Sequence, residues 1–145
     1  MKQQQRQDSL QQSINHAIIE FYERLSSWEQ SVVRDQGASL AQIHTVEILG
    51  AHGPMKMKEL AEKLGITTGT LTVQVERLVK AGLAERQPLE NDRRAIQVSL
   101  TEKGEQMFKE HDALHLQLTR EMTAKFSDAE LEQLLGFFKR LNSEF

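Results

Sequence analysis

Cysteine is absent from this 145-residue chain, and proline, tryptophan and tyrosine nearly so, at two, one and one. The first absence excludes disulfide scaffolds, thiolate zinc sites, cysteine nucleophiles and thiol redox sensing, and it suits a reducing cytoplasm. No stretch approaches the roughly 20 apolar residues that a membrane span requires. The segment from Met1 to Gln12 is polar and Gln-rich, unlike a secretion signal. Gly-rich phosphate loops, nucleophile elbows and oxyanion motifs are also missing, which leaves little for an enzyme to work with. What is present, 39% hydrophobic and 27% charged residues, describes one globular domain over residues 1–145. A chain of this size can bury roughly two thirds of its unfolded surface without disulfides.

Strong net charge is lacking too: 18 Lys and Arg against 21 Asp and Glu leave −3. The distribution is more telling. Residues 54–104 hold nine basic and seven acidic side chains, whereas the remainder holds nine and fourteen. An electropositive middle between acidic flanks fits a DNA-reading module on a non-binding scaffold.

Ile14, Ile18, Phe21, Leu25, Trp28 and Val32 are spaced four, three, four, three and four apart, a helical seam that needs a helical partner. Ser39 with Gln42 forms a capping box that opens a second helix to about Gly50. Met57, Leu60, Ala61 and Leu64 line a short helix stopped by Gly65. Thr67 or Thr68 caps the next helix, whose Leu71, Val75 and Leu78 point inward. Leu83 to Leu89 and Ile96 to Leu100 read as strands flanking a charged loop from Glu90 to Arg94. Thr101 caps a long helix to about Lys125, and Ser127 with Glu130 opens a last one. The expected fold is mainly α with a small β-hairpin wing: a winged helix-turn-helix core over 56–100, dimerising through N- and C-terminal helices at 10–35 and 101–145.

Leu64-Gly65-Ile66-Thr67, Arg77 to Leu83, Asp92-Arg93-Arg94 and Leu100 to Gly104 stand in the order and spacing of the MarR family of bacterial transcription regulators, which residues 14–145 resemble. The resemblance implies a homodimer on an imperfect palindrome of double-stranded DNA, tuned by a small-molecule, acyl or metal effector, and most often a repressor. His44 to Glu47, Gly65 to Thr72 and the pair His111 and His115 are similar to the FabT-type repressors of fatty-acid synthesis. The AdcR-type zinc-uptake repressors share part of this pattern, and their Zn²⁺ ligands match Glu29, His44, His111 and His115. A shorter stretch from Glu29 to His44, the lack of Cys, and Ile43 where a carboxylate would stand put a second metal site in doubt.

On the expected reading helix, Thr67, Thr68, Thr70, Thr72, Gln74 and Arg77 are not needed for packing. Hydroxyls and the helix N-terminus suit phosphates, Gln suits adenine and Arg suits guanine. The plainer alternative makes Thr67 a cap and pairs Arg77 with Glu76 or Glu85. In the wing, Arg93 and Arg94 can enter a narrow minor groove or hold phosphate, with Asp92 orienting them; otherwise this is a solvated turn. His111 and His115 share one helix face within an apolar row, either as metal ligands or as hydrogen-bonded interface residues. His16 and His52 lack such company. Phe21, Trp28, Ile48 and Met107 are candidates for an apolar effector pocket, or plain core. The rival class is a zinc hydrolase using His111-Asp112-x-x-His115, with Asp where a general base would be.

Overall fold

The computed structural model describes residues 1–89 and 91–145, without the side chains of Asp92 and Arg93. Glutamine is a good helix former, and the Gln-rich start carries the first helix well beyond its apolar seam. Helix α1 runs Lys2–Asp35, about 51 Å long at 1.5 Å per residue. Helix α2, Leu40–His52, opens on the expected capping box: Gln42 N donates to Ser39 Oγ at 3.2 Å, and Ser39 N donates to Gln42 Oε1 at 3.0 Å. Strand β1, Met55–Lys56, then leads into α3, Met57–Leu64, and α4, Thr68–Lys80. Thr67 caps α4, and Gly65 ends α3 in the left-handed conformation. Strands β2, Ala84–Leu89, and β3, Asp92–Leu100, form the hairpin, followed by α5, Glu102–Met122, and α6, Asp128–Asn142. No helix among the described residues is long and apolar enough to cross a membrane.

The sheet is antiparallel in the order β1-β3-β2, with Met55 opposite Val98 and Ala84 opposite Leu100. Pro88 lies on the edge strand β2, where a missing N–H costs no ladder bond. Two features depart from the sequence reading. A two-residue strand such as β1 is too short to leave a periodic signature. And β3 starts at Asp92 rather than Ile96: the register shifts between Pro88 and Leu89, so the backbone of Arg93 and Arg94 belongs to the strand. Glu90, expected in the loop, lies outside the described residues.

Val46 and Leu49 of α2, Leu60 of α3, Leu71, Val75 and Leu78 of α4, and Val98 of β3 form one fully buried core. That core is the head of the molecule. The arms differ: α6 buries none of its residues and α1 only Val33. Ile14, Ile18, Phe21, Leu135, Phe138 and Leu141 leave their apolar surface exposed in the single chain.

Candidate functional site

Burial of Leu71, Val75 and Leu78 fixes the rotation of α4, so the rest of that helix faces outward. Thr67, Thr68, Thr70, Thr72 and Arg77 are exposed and Gln74 is half-buried. Two of the hydroxyls are already engaged locally: Thr67 Oγ1 donates to Thr70 Oγ1 at 3.0 Å, and Thr72 Oγ1 donates to the Thr68 carbonyl at 2.9 Å. They retain lone pairs for a donor. Glu76 is engaged by Arg86 at 4.0 Å, which leaves it facing strand β2 rather than paired with Arg77. Val73 was missed by the sequence reading. It is 48% exposed on this polar face, and its signal was an apolar residue out of step with the 71, 75, 78 packing row.

The hairpin carries an exposed Arg94 beside this helix, with Arg86 also exposed on β2. Of the expected wing contacts, the side chains of Asp92 and Arg93 lie outside the described residues.

A second group of polar side chains forms where α5 crosses α2 and the end of α1. Gly50 lets the two helices close: a Cβ there would run into the ring of Phe108. One turn from that contact on either helix, Glu47 meets His111. Donor atoms of Glu29, Glu47, His111 and His115 all lie within 4.8 Å of one another. His111 is fully buried; its Nε2 is 2.6 Å from Glu29 Oε1 and 2.7 Å from Glu47 Oε1. His115 Nε2 stands 2.8 Å from Glu29 Oε2, 3.9 Å from Glu47 Oε1 and 3.1 Å from His111 Nε2. The ring of Trp28 meets that of His115 edge-on at 4.8 Å. On its far side, His111 Nδ1–H donates to Gln36 Oε1 at 2.9 Å. Burial, reinforced by the Glu29 carboxylate, raises the pKa of Glu47 to about 7, against a smaller lowering by His115.

Three of the four expected metal ligands thus come together, Glu29, His111 and His115, and His44 does not. His44 sits a further turn toward the start of α2, where it is exposed; Glu47 occupies the corresponding side of the group. Four-coordinate zinc with bonds of about 2.0–2.1 Å holds its ligand atoms roughly 3.3 Å apart. The separations of 2.6, 2.7, 2.8, 3.1 and 3.9 Å bracket that value, so the donors present fit a divalent cation.

A family model described as the MarR family matches residues 38–96, from the turn before α2 into β3. Over those residues the chain is similar to the MarR family. The HTH-type transcriptional regulator FarR of Neisseria gonorrhoeae is 29% identical over 139 residues, covering 90% of this chain and 94% of that protein. The regulator YfiV of Bacillus subtilis is 34% identical over 85 residues, 58% of this chain and 53% of YfiV. This chain's match therefore spans about half the length of YfiV. The crystal structure of Streptococcus pneumoniae FabT in complex with DNA superposes with a TM-score of 0.79 at 23% identity, covering 92% of this chain and 99% of that one. At that identity the likeness is one of fold, the MarR-type winged helix.

Within this winged-helix fold, none of the cavities that the described residues form around Phe21, Trp28 or the histidines takes in all four expected pocket residues. Ile48 and Met107 pack against the head core, and Trp28 lies against His115. Phe21 lines an apolar cavity of about 460 Å³ between α1, α5 and α6, with Leu118, Phe126 and Phe138. A smaller cavity of about 220 Å³ is walled by Glu47, Phe108, His111 and His115. Helical spacing brought the four residues onto inward faces but could not say which inward space each one enters.

Proposed function

We propose that this chain is a cytoplasmic, sequence-specific DNA-binding transcription regulator, a repressor that works as a homodimer on a palindromic operator. The observation that carries this reading is the exposed row of Thr68, Thr70, Thr72 and Arg77 on α4, held beside the Arg94-bearing hairpin by a head whose apolar side is fully buried. The α4 N-terminus and the Thr68 and Thr70 hydroxyls approach phosphate, Arg77 and Gln74 address base edges in the major groove, and the wing enters the minor groove. The uncovered apolar faces of α1 and α6 support the arms as the dimer surface, since such stripes seldom face water in a stable monomer. In the dimer the two α4 helices read half-sites about 34 Å apart.

Its effector, in this reading, is a divalent metal ion held by the Glu29, Glu47, His111 and His115 group, and the ion supplies a positive centre that holds four acceptor atoms together. A hydrolase is disfavoured by the same geometry. Catalytic zinc keeps a position open for water, whereas four protein donors close the shell.

Titrating the chain against a duplex from upstream of its own gene tests the proposal. Binding of two chains per site is expected, with affinity falling as salt rises. Arg77→Ala should weaken binding by about 1–3 kcal/mol and relax specificity at one base position. A stable monomer, or no binding at low ionic strength, refutes it.

A further inference from the structure

Resting on that divalent-ion reading, we propose that the fourth ligand is Glu47 and not His44, and that Gln36 is the residue that positions His111 for the ion. Three observations converge. First, four acceptor-capable atoms from three helices meet within 4.8 Å, and Glu47 rather than the exposed His44 completes them. Second, two carboxylates balance a 2+ ion, so the loaded group is electrically neutral where His111 is fully buried. A set with His44 in place of Glu47 leaves one net positive charge there, which burial penalises. Third, His111 spends its Nδ1–H on Gln36, so in the neutral ring the Nε2 lone pair points at the centre of the group. A second hydrogen bond of this kind is what orients metal-ligating histidines and fixes their tautomer.

The ligand set also gives the ion a route of communication. Glu29 comes from α1 and both histidines from α5, whereas Glu47 comes from α2 between the core residues Val46 and Leu49. Glu47 is therefore the ligand that belongs to the reading head. With it, an ion ties the head to the arms. The other end of α5 is pinned to the turn that closes α4: Thr101 N donates to the Leu83 carbonyl at 3.1 Å, Thr101 Oγ1 to the Gly82 carbonyl, and Lys103 Nζ to the Ala81 carbonyl at 2.9 Å.

Zn²⁺ affinity by chelator competition, with the visible spectrum of the Co²⁺ form, tests both parts on the full chain. Wild type and His44→Ala should bind Co²⁺ with the same intense tetrahedral bands. Glu47→Gln should lose more than the about 10- to 100-fold typical of an outer-shell change. Gln36→Leu should weaken Zn²⁺ binding about 10- to 100-fold, and Gln36→Glu, whose carboxylate also accepts from Nδ1–H, should restore it. The metal-free Glu47→Gln chain should melt no lower than wild type, showing that lost affinity is not lost fold. If His44→Ala loses the ion while Glu47→Gln keeps it, the assignment of Glu47 falls. If Gln36→Leu binds as wild type does, the positioning role falls. A wild-type chain that takes up neither ion overturns the divalent-ion reading itself.

Discussion

Adding one methyl group at Gly104 should damage this protein, and adding one at Gly69 should not. Gly104 lies in the first turn of α5, where a Cβ would collide with the Leu83 carbonyl oxygen, stand 3.0 Å from its carbon and 3.1 Å from Leu100 Cδ2. Carbon contacts are optimal at about 3.5–4.0 Å, so α5 has to withdraw by at least half an ångström from the turn it is hydrogen-bonded to. Overpacking of this kind costs about 1–3 kcal/mol, and loosening the Thr101 and Lys103 bonds to that turn adds about 1 kcal/mol each. Alanine returns about 1 kcal/mol in helix propensity. A net loss of about 3 kcal/mol is expected, a Tm lower by about 6–12 °C for a chain near 150 residues. At Gly69, in the first turn of α4, only Thr67 Oγ1 comes as near as 4.0 Å. There the propensity gain stands alone, and Tm should hold or rise by up to about 4 °C. Thermal melts at one fixed protein concentration compare the two, since dimer melting depends on concentration. The reasoning is refuted if Gly104→Ala melts at or above wild type.

The wing should act independently of the arms. Arg94→Ala is expected to weaken operator binding by about 1 kcal/mol or more, with the sedimentation behaviour of the dimer unchanged. If exposed Val73 meets a thymine methyl in the major groove, Val73→Ser should keep the fold and lower affinity for an operator with thymine at the facing step but not for one with uracil; anisotropy on the paired duplexes measures it. Glu47 predicts a pH dependence in the metal-free protein. Its folded pKa of about 7 lies above the ordinary value of 4.5, so the folded state holds the extra proton between those values and stability falls as pH rises through that window. After allowance for its one-third exposure, wild type should lose about 1 kcal/mol relative to Glu47→Gln between pH 5 and pH 8, read from urea melts. Equal pH slopes in the two proteins would count against the buried-carboxylate account.

Local chemistry was readable in the sequence because it acts over three or four residues. Ser39, Thr67, Thr101 and Ser127 each accept the backbone N–H that their spacing anticipates. The helix-turn-helix followed from the buried row of Leu71, Val75 and Leu78, a periodic signal strong enough to orient α4. The polar group was half legible. His111 and His115 declare themselves by falling four apart within an apolar row, but Glu47 is in sequence one more carboxylate on a helix, and Gln36 one more polar residue in a turn. Their role depends on where α5 crosses α2, and that crossing is set by the absence of a side chain at Gly50. A glycine inside a helix reads as weakness from sequence and as a contact only in three dimensions. The start of β3 was hidden for a related reason. Charged residues from Asp92 to Arg94 carry no alternation, and the pairing that opens the strand is that of Asp92 with Leu89 of β2.

Two attachments give α5 its place between the polar group and the reading helix. Its first turn is bonded to the Ala81, Gly82 and Leu83 carbonyls at the end of α4, and its middle carries His111 and His115 against Glu29 and Glu47. The two attachments are eight to fourteen residues apart, about 12–21 Å of helix, and a continuous helix of that length resists bending. A change at the histidines that rotates or slides α5 is therefore delivered to the closing turn of α4, not dissipated between them. In a dimer the same displacement, applied twice with opposite sense about the two-fold axis, alters the separation of the two reading helices, which DNA demands to be about one helical turn. Coupling of this kind is reciprocal: an ion that favours the DNA-competent spacing is itself bound more tightly when DNA is present, by the same factor.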